Sequence, residues 1–288
     1  MGFYLALMKP RVIELLLVTT APVMVLAAGE FPNLGLVLGT LIGGALSAGS
    51  ANAFNMYIDR DIDVMMARTK GRPIVTGDIS PTKALVFAWA IGIASLVILS
   101  FVANLLAASL ALAAILFYVF VYTLWLKRRT EQNIVWGGIA GCFPVLIGWT
   151  AVTGELSLTP WILFVVVFLW TPAHYWPLSL RYAADYAAAS VPMLSVLRPT
   201  VAVGLQVILY AWATVVASLV PITVAPMGIV YTVVALVAGG WFIVETHLLY
   251  NKTVVGAAAN PMRVFHASNT YLTALFLAVA IDPLVALR

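Results

Sequence analysis

Long apolar runs alternate with short polar connections along almost the whole chain, and each run is long enough to cross the hydrocarbon core of a bilayer as an α-helix. The hydropathy predicts nine spans, at residues 12–28, 34–57, 84–103, 106–126, 134–152, 160–180, 200–220, 226–247 and 269–287. The fold class expected is therefore all-α: a multi-pass integral membrane bundle of about nine transmembrane helices, forming one transmembrane domain over residues 1–288. Residues 1–28 also have the basic start, apolar run and small residues (Ala27, Ala28, Gly29) of a secretory signal. The next apolar segment follows within a few residues, and the Glu30–Asn33 connection carries no positive charge, so this run is taken as a retained span.

The connections carry charge asymmetrically. Lys9 and Arg11 precede the first span; Arg60, Arg68, Lys70, Arg72 and Lys83 follow the second; Lys127, Arg128 and Arg129 follow the fourth; Arg181 and Arg198 follow the sixth; Lys252 and Arg263 follow the eighth. Fourteen of the fifteen basic residues thus fall on the side of the N-terminus, with Arg288 alone opposite. By the positive-inside rule that side is cytoplasmic, which places the N-terminus inside and the chain in the cell membrane. Composition narrows the possibilities further. The chain is 63% apolar and 9% charged, against about 45–50% and 25% for a soluble domain. A soluble globule, a disordered chain and a basic nucleic-acid-binding domain are excluded, little is left for an extramembrane domain, and the single Cys142 closes no internal bridge.

In such a chain function is sought where ionisable groups meet apolar helix. Residues 52–83 hold Asn52, Asn55, Asp59, Arg60, Asp61, Asp63, Arg68, Lys70, Arg72, Asp78 and Lys83. Asn55, Asp59 and Asp63 recur every fourth residue, a spacing that puts them on one helical face. Stacked carboxylates repel unless a cation neutralises them, and magnesium suits such a face, because it takes one or two carboxylates, water and the oxygens of a substrate phosphate. Asp61 points elsewhere and is expected to pair with Arg60 or its neighbours. The run Arg68, Lys70, Arg72 directly downstream could grip the other side of a diphosphate; its alternative is topology alone. A second polar cluster follows the sixth span, with His174, Tyr175, Trp176, Arg181, Tyr182, Asp185 and Tyr186. It lies on the same side as the first. His174 is either a hydrogen-bonded core residue or a functional group; His247, His266 and Cys142 are read as structural.

Asn55-Met-Tyr-Ile-Asp59-Arg-Asp61-Ile-Asp63 resembles the first aspartate-rich motif, Asn-x3-Asp-x3-Asp, of the intramembrane prenyltransferase superfamily. Lys9-Pro-Arg11, Arg68-Thr-Lys-Gly-Arg72-Pro73, Thr171-Pro-Ala-His174-Tyr-Trp176 and Asp185-Tyr-Ala-Ala-Ala-Ser-Val-Pro192-Met-Leu194 extend the likeness to its heme-modifying branch, the protoheme IX farnesyltransferases, over nearly the whole chain. The resemblance implies farnesyl diphosphate and heme B as substrates, meeting in a chamber open toward the cytoplasmic side and to membrane lipid, with heme O as product. It further implies magnesium held by Asp59, Asp63 and Asp185 with Asn55 assisting, a diphosphate neutralised by Arg68, Lys70, Arg72 and Arg181, and His174 and Tyr182 as heme or acceptor contacts. A heme A synthase or terminal-oxidase assembly partner would then collect the product. The family commonly has an acidic residue immediately before the aspartate of the second motif; Ala184 stands there in this chain. Two other functions share parts of the pattern. A quinone-type prenyltransferase would keep the metal and diphosphate groups and change the acceptor. A secondary transporter would place its carboxylates near mid-membrane, whereas these lie at helix ends beside basic loops.

Overall fold

The computed structural model describes residues 2–225 and 227–286. Its long helices are α1 (Pro10–Ala28), α2 (Leu34–Ile58), α3 (Pro81–Val102), α4 (Leu105–Leu126), α5 (Asn133–Thr153), α6 (Leu158–Arg181), α7 (Thr200–Val224), α8 (Ile229–Val254) and α9 (Pro261–Ala286). Among the described residues, α2 to α9 are each long and apolar enough to cross a membrane. The stretch Val12–Ala28, taken with the short N-terminal helix Gly2–Met8, makes a ninth. The last two helices run past the bounds that the hydropathy gives them: α8 reaches Val254 and α9 starts at Pro261, because polar residues such as Asn251 and His266 continue the helices beyond their apolar cores. Arg288, assigned to the outer face by sequence, and the side chain of Arg11 lie outside the described residues.

Local chemistry sets the helix ends. Gly29 and Gly154 terminate α1 and α5 in the left-handed region, at φ of 70° and 75°, where a side chain would be strained. Asn33, Ser80 and Asn104 accept hydrogen bonds from the first-turn amides of α2, α3 and α4. At the start of α8 the acceptor comes from another helix: the buried Asp282 on α9 accepts from the amides of Gly228 and Tyr231.

The helices pack in sequence order as a ring. Each neighbours the next from α1 to α4; α5 packs on α1, α4 and α6; and α9 closes the ring against α8, α6 and α1. A large core joins α6, α7, α8 and α9, built on Trp170, Trp176, Tyr231, Phe242, Tyr271 and Phe276. Smaller cores lie between α2, α3 and α4 and between α1, α3, α4 and α5. The outward faces are strongly apolar, with Phe101, Trp89, Ile229 and Val237 each more than half exposed, as lipid-facing surfaces are. Small residues allow the close crossings: a Cβ on Gly43 would come within 2.6 Å of Leu99.

The second half of α4 departs from ordinary helix. Phe117–Leu126 is wound as a π-helix, with i→i+5 hydrogen bonding. Nine residues make two and a half turns of α-helix, which would set Tyr118 and Lys127 on opposite sides. The wider winding brings both to the same interior cavity.

Candidate active site

Inside the ring, at the end carrying the basic connections, lies a cavity of about 330 Å³ walled by α1, α2, α4, α5, α6, α9 and the connections after α2, α4 and α6. Asn55, Asp63, Arg68 and Arg72 line it, as do Lys9, Tyr118, Tyr122, Lys127, Tyr175 and Tyr186. A second, apolar cavity of about 130 Å³ adjoins it between α1, α2, α4 and α5, the two sharing Val12, Leu16, Asn52, Tyr118, Ala140 and Gly141.

Helix α2 ends at Ile58, and Asp59 turns the chain into the one-turn helix Arg60–Asp63 with φ −83° and ψ 3°. The helical spacing survives this joint: the amide of Asp59 donates to Asn55 and that of Asp63 to Asp59, both at 2.9 Å. Asn55 Nδ2 accordingly donates to Asp59 Oδ2 at 2.6 Å and to Thr123 Oγ1 at 3.2 Å, while its Oδ1 accepts from Lys9 Nζ at 2.7 Å. Asp59 is wholly buried behind this wall, paired with Lys127 and, at 3.5 Å, with Arg128. Asp63 is equally buried. Its Oδ2 accepts from Arg72 Nη1 at 2.5 Å, and its Oδ1 has no partner. A buried carboxylate oxygen without a partner is costly, and marks the wall as incomplete without a donor or cation.

Lys9, Arg68, Arg72 and Lys127 line this cavity, against the two carboxylates Asp59 and Asp63. The excess of positive charge suits a polyanion. Lys9 itself is held in the left-handed region at φ 55°, a strained conformation for a side-chain-bearing residue of the kind that gathers at functional sites. The oxygen donors Asp63, Asp59 and Asn55 fit magnesium, which uses few carboxylates and completes its shell from phosphate and water. Among the described residues no three His, Cys, Asp or Glu side chains converge as an all-protein metal cage. The three carboxylates expected to hold the metal are thus not gathered in one shell.

Asp185 stands apart from Asp59 and Asp63. It lies half-buried on the short helix Ala183–Ala188 and accepts from the backbone amide of Arg68 at 3.0 Å. Arg68 Nη2 donates to Tyr186 Oη at 3.1 Å, and its guanidinium lies over the rings of Tyr182 and Tyr186 at 5.1 and 5.7 Å. Tyr186 also bonds Tyr175 at 2.9 Å, and burial raises its phenol pKa. Asp185 and Tyr182 therefore belong to a clamp on Arg68 at the cavity rim. Lys70 and Arg181 are exposed and line no part of the cavity. Asp61 pairs with neither Arg60 nor a near neighbour, but with Arg128, bidentately at 2.7 and 2.8 Å, which draws its pKa down to about 2. Arg60 turns back onto the Tyr57 carbonyl and ring instead.

His174 is absent from the cavity wall. The cavity-facing residues of α6 are Val167, Trp170, Thr171, Tyr175 and Leu178, and His174 occupies the adjacent face, stacked between Trp170 and Phe265 of α9 at centroid distances of 4.2 and 4.5 Å. Its Nδ1 lies 2.9 Å from Ser268 Oγ, whose hydroxyl donates to the Phe265 carbonyl. Ser268 must then accept from Nδ1–H, leaving the lone pair on Nε2.

Lys9, Lys127, Thr123 and the tyrosines of α4 escaped assignment from sequence, Lys127 being counted only toward topology. The available signal was a lysine ending an apolar span without a break.

The model of the UbiA prenyltransferase family matches residues 16–269. Curated relatives named protoheme IX farnesyltransferase include those of Clavibacter michiganensis subsp. michiganensis (68% identical, covering 98% of this chain and 92% of the relative), Leifsonia xyli subsp. xyli (64%; 98% and 92%) and Streptomyces coelicolor (56%; 97% and 90%). Among solved structures, a digeranylgeranylglyceryl phosphate synthase is similar with a TM-score of 0.78 (18% identical; 99% and 98% covered). A UbiA homolog from Archaeoglobus fulgidus bound to DMAPP and Mg2+ is similar with a TM-score of 0.74 (17%; 97% and 99%). By sequence as well as by fold, the chain belongs to the UbiA prenyltransferase family.

Proposed function

We infer that the protein transfers the farnesyl group of farnesyl diphosphate to a vinyl group of heme B, with addition of water, giving heme O and diphosphate. The observation that carries the reading is the pair of joined cavities. One is cationic and holds the buried, half-satisfied Asp63; the other is apolar and starts where the first ends. An allylic diphosphate has this division of character. The acceptor rests on the relatives named protoheme IX farnesyltransferase at 56–68% identity.

In this reading Arg68, Arg72, Lys9 and Lys127 bind the diphosphate, with Lys70 and Arg181 on the approach to it. Asp63 and Asp59, with Asn55 beside them, would hold magnesium, and Asp185 across the rim would act through Arg68, whose amide it accepts from. When bound, the metal neutralises charge on the diphosphate as it leaves. The C1–O bond of the farnesyl chain breaks with its electron pair going to diphosphate, a vinyl carbon bonds to C1, and water adds to the remaining cationic carbon with loss of a proton. Cationic side chains aimed at the leaving group lower the barrier because charge grows there. Tyr118, Tyr122 and the apolar branch keep water from the allylic cation until the carbon–carbon bond has formed. His174, stacked on the cavity-lining Trp170, and Tyr182, under the Arg68 guanidinium, would act on the acceptor side through those neighbours. The charge asymmetry of the connections supports a cytoplasmic position for this end in the cell membrane, and the lipid-soluble product would pass within the membrane to a heme A synthase or terminal-oxidase assembly partner.

The test is pigment analysis of membranes from cells expressing the chain or its Asp63→Asn variant, with extracted hemes identified by mass. Heme O formed only with Asp63 intact supports the reading. Unmodified heme B in both, with labelled farnesyl diphosphate going to an aromatic acid instead, replaces heme by a quinone precursor.

A further inference from the structure

Two helical glycines that line a cavity of this chain make room for no neighbour. Elsewhere the interior glycines make room for a neighbour: a Cβ on Gly138 would lie 2.8 Å from Thr171, and one on Gly43 2.6 Å from Leu99. Gly44 on α2 and Gly141 on α5 differ. Neither has positive φ, and a Cβ on either would meet nothing within 4 Å. Glycine inside a helix is unfavourable relative to alanine, so these positions give up stability without gaining a close packing contact. Both line the apolar cavity: Gly141 at the neck shared with the polar cavity, Gly44 in the apolar part alone.

On α2 the two cavities together run from Asn55 to Gly44, eleven residues or about 16 Å along the axis. That is of the order of an extended chain of three isoprene units, starting beside Asp63 with its unpartnered oxygen. We propose that Gly44 and Gly141 are specificity-determining residues for the isoprenoid: Gly141 keeps the neck open to the tail, and Gly44 leaves the space that its last isoprene unit fills. The proposal rests on the allylic diphosphate reading above and adds chain length to it. A side chain at Gly44 shortens the tail that fits; one at Gly141 hinders every tail past its first unit.

The test uses the full chain in lipid nanodiscs with magnesium and no heme, measuring binding of geranyl, farnesyl and geranylgeranyl diphosphate by protection against thermal unfolding. The wild type should bind farnesyl better than geranyl diphosphate. Gly44→Val should cut that preference about tenfold, the worth of about two buried methylenes, and Gly141→Ala should weaken all three ligands together. Gly240→Val, on an exposed glycine of α8 with equally open space at its Cβ, should change neither. If Gly44→Val does not fold, Gly44→Ala should show a smaller shift in the same direction. An unchanged farnesyl-to-geranyl ratio in a folded Gly44 variant overturns the proposal. If the binding pattern holds while wild-type membranes farnesylate no heme, the assigned reaction fails and the tail inference stands.

Discussion

The connections that follow α2 and α6 both carry aspartates at the same end of the bundle, yet treat them oppositely. After α2, Asp59 and Asp63 are wholly buried and tied to Lys127 and Arg72. After α6, Asp185 is half-buried, and its hydrogen bond comes from the backbone amide of Arg68. The first connection holds its charges where bulk water screens them little. The second spends its aspartate and two tyrosines on holding one arginine of the first. With Ala184 in place of an acidic residue, nothing in the second connection duplicates the charge of the first.

The comparison breaks most directly at Asp63. Asp63→Asn should lower heme O formation at least about 100-fold, whereas Asp185→Asn should lower it about tenfold, chiefly through a raised KM for farnesyl diphosphate as Arg68 loosens. Equal losses in a membrane assay with purified protein would make Asp185 a partner of the chemistry and erase the distinction. Chelation should stop turnover in the wild type, and added magnesium should restore both turnover and the thermal protection given by farnesyl diphosphate. Lys127→Met leaves Asp59 buried without its closest cation and should cost about 3 kcal/mol of stability, readable by denaturant titration in detergent. The smallest effect belongs to Asp61. Asp61→Asn should keep turnover within about threefold, because its pair with Arg128 is solvent-exposed. Since that pair depresses the carboxylate to about 2, its slight stabilisation is complete above the ordinary value near 4 and disappears as pH falls from there through 2.

The succession of spans and the four-residue spacing of Asn55, Asp59 and Asp63 were legible in the sequence, because apolar length and helical spacing survive any arrangement of neighbours; the closure of the spans into a ring was not. The rest depends on information that periodicity does not carry. A 3.6-residue period separates Tyr118 from Lys127; only the π-winding of α4 aligns them. Asp61 finds Arg128 sixty-seven residues away, a contact made by the packing of α2 on the end of α4. His174 and Tyr175 are adjacent in an apolar helix, and nothing in their order tells which of them faces the cavity. The rotation of α6 is decided by Trp170, Trp176 and the aromatic core shared with α7 and α9.

The closure of the ring by α9 has a consequence for how the protein comes into being. α9 supplies Leu272 to the cavity wall, Phe265 and Ser268 to the setting of His174, and Asp282 to the start of α8. The ribosome makes it after the other eight helices. While the nascent chain is being threaded into the bilayer, the seam between α1 and α8 stands open, and lipid can occupy the future chamber. One helix, made after the other eight, thus seals the cavity wall, orients the imidazole and caps its neighbour together.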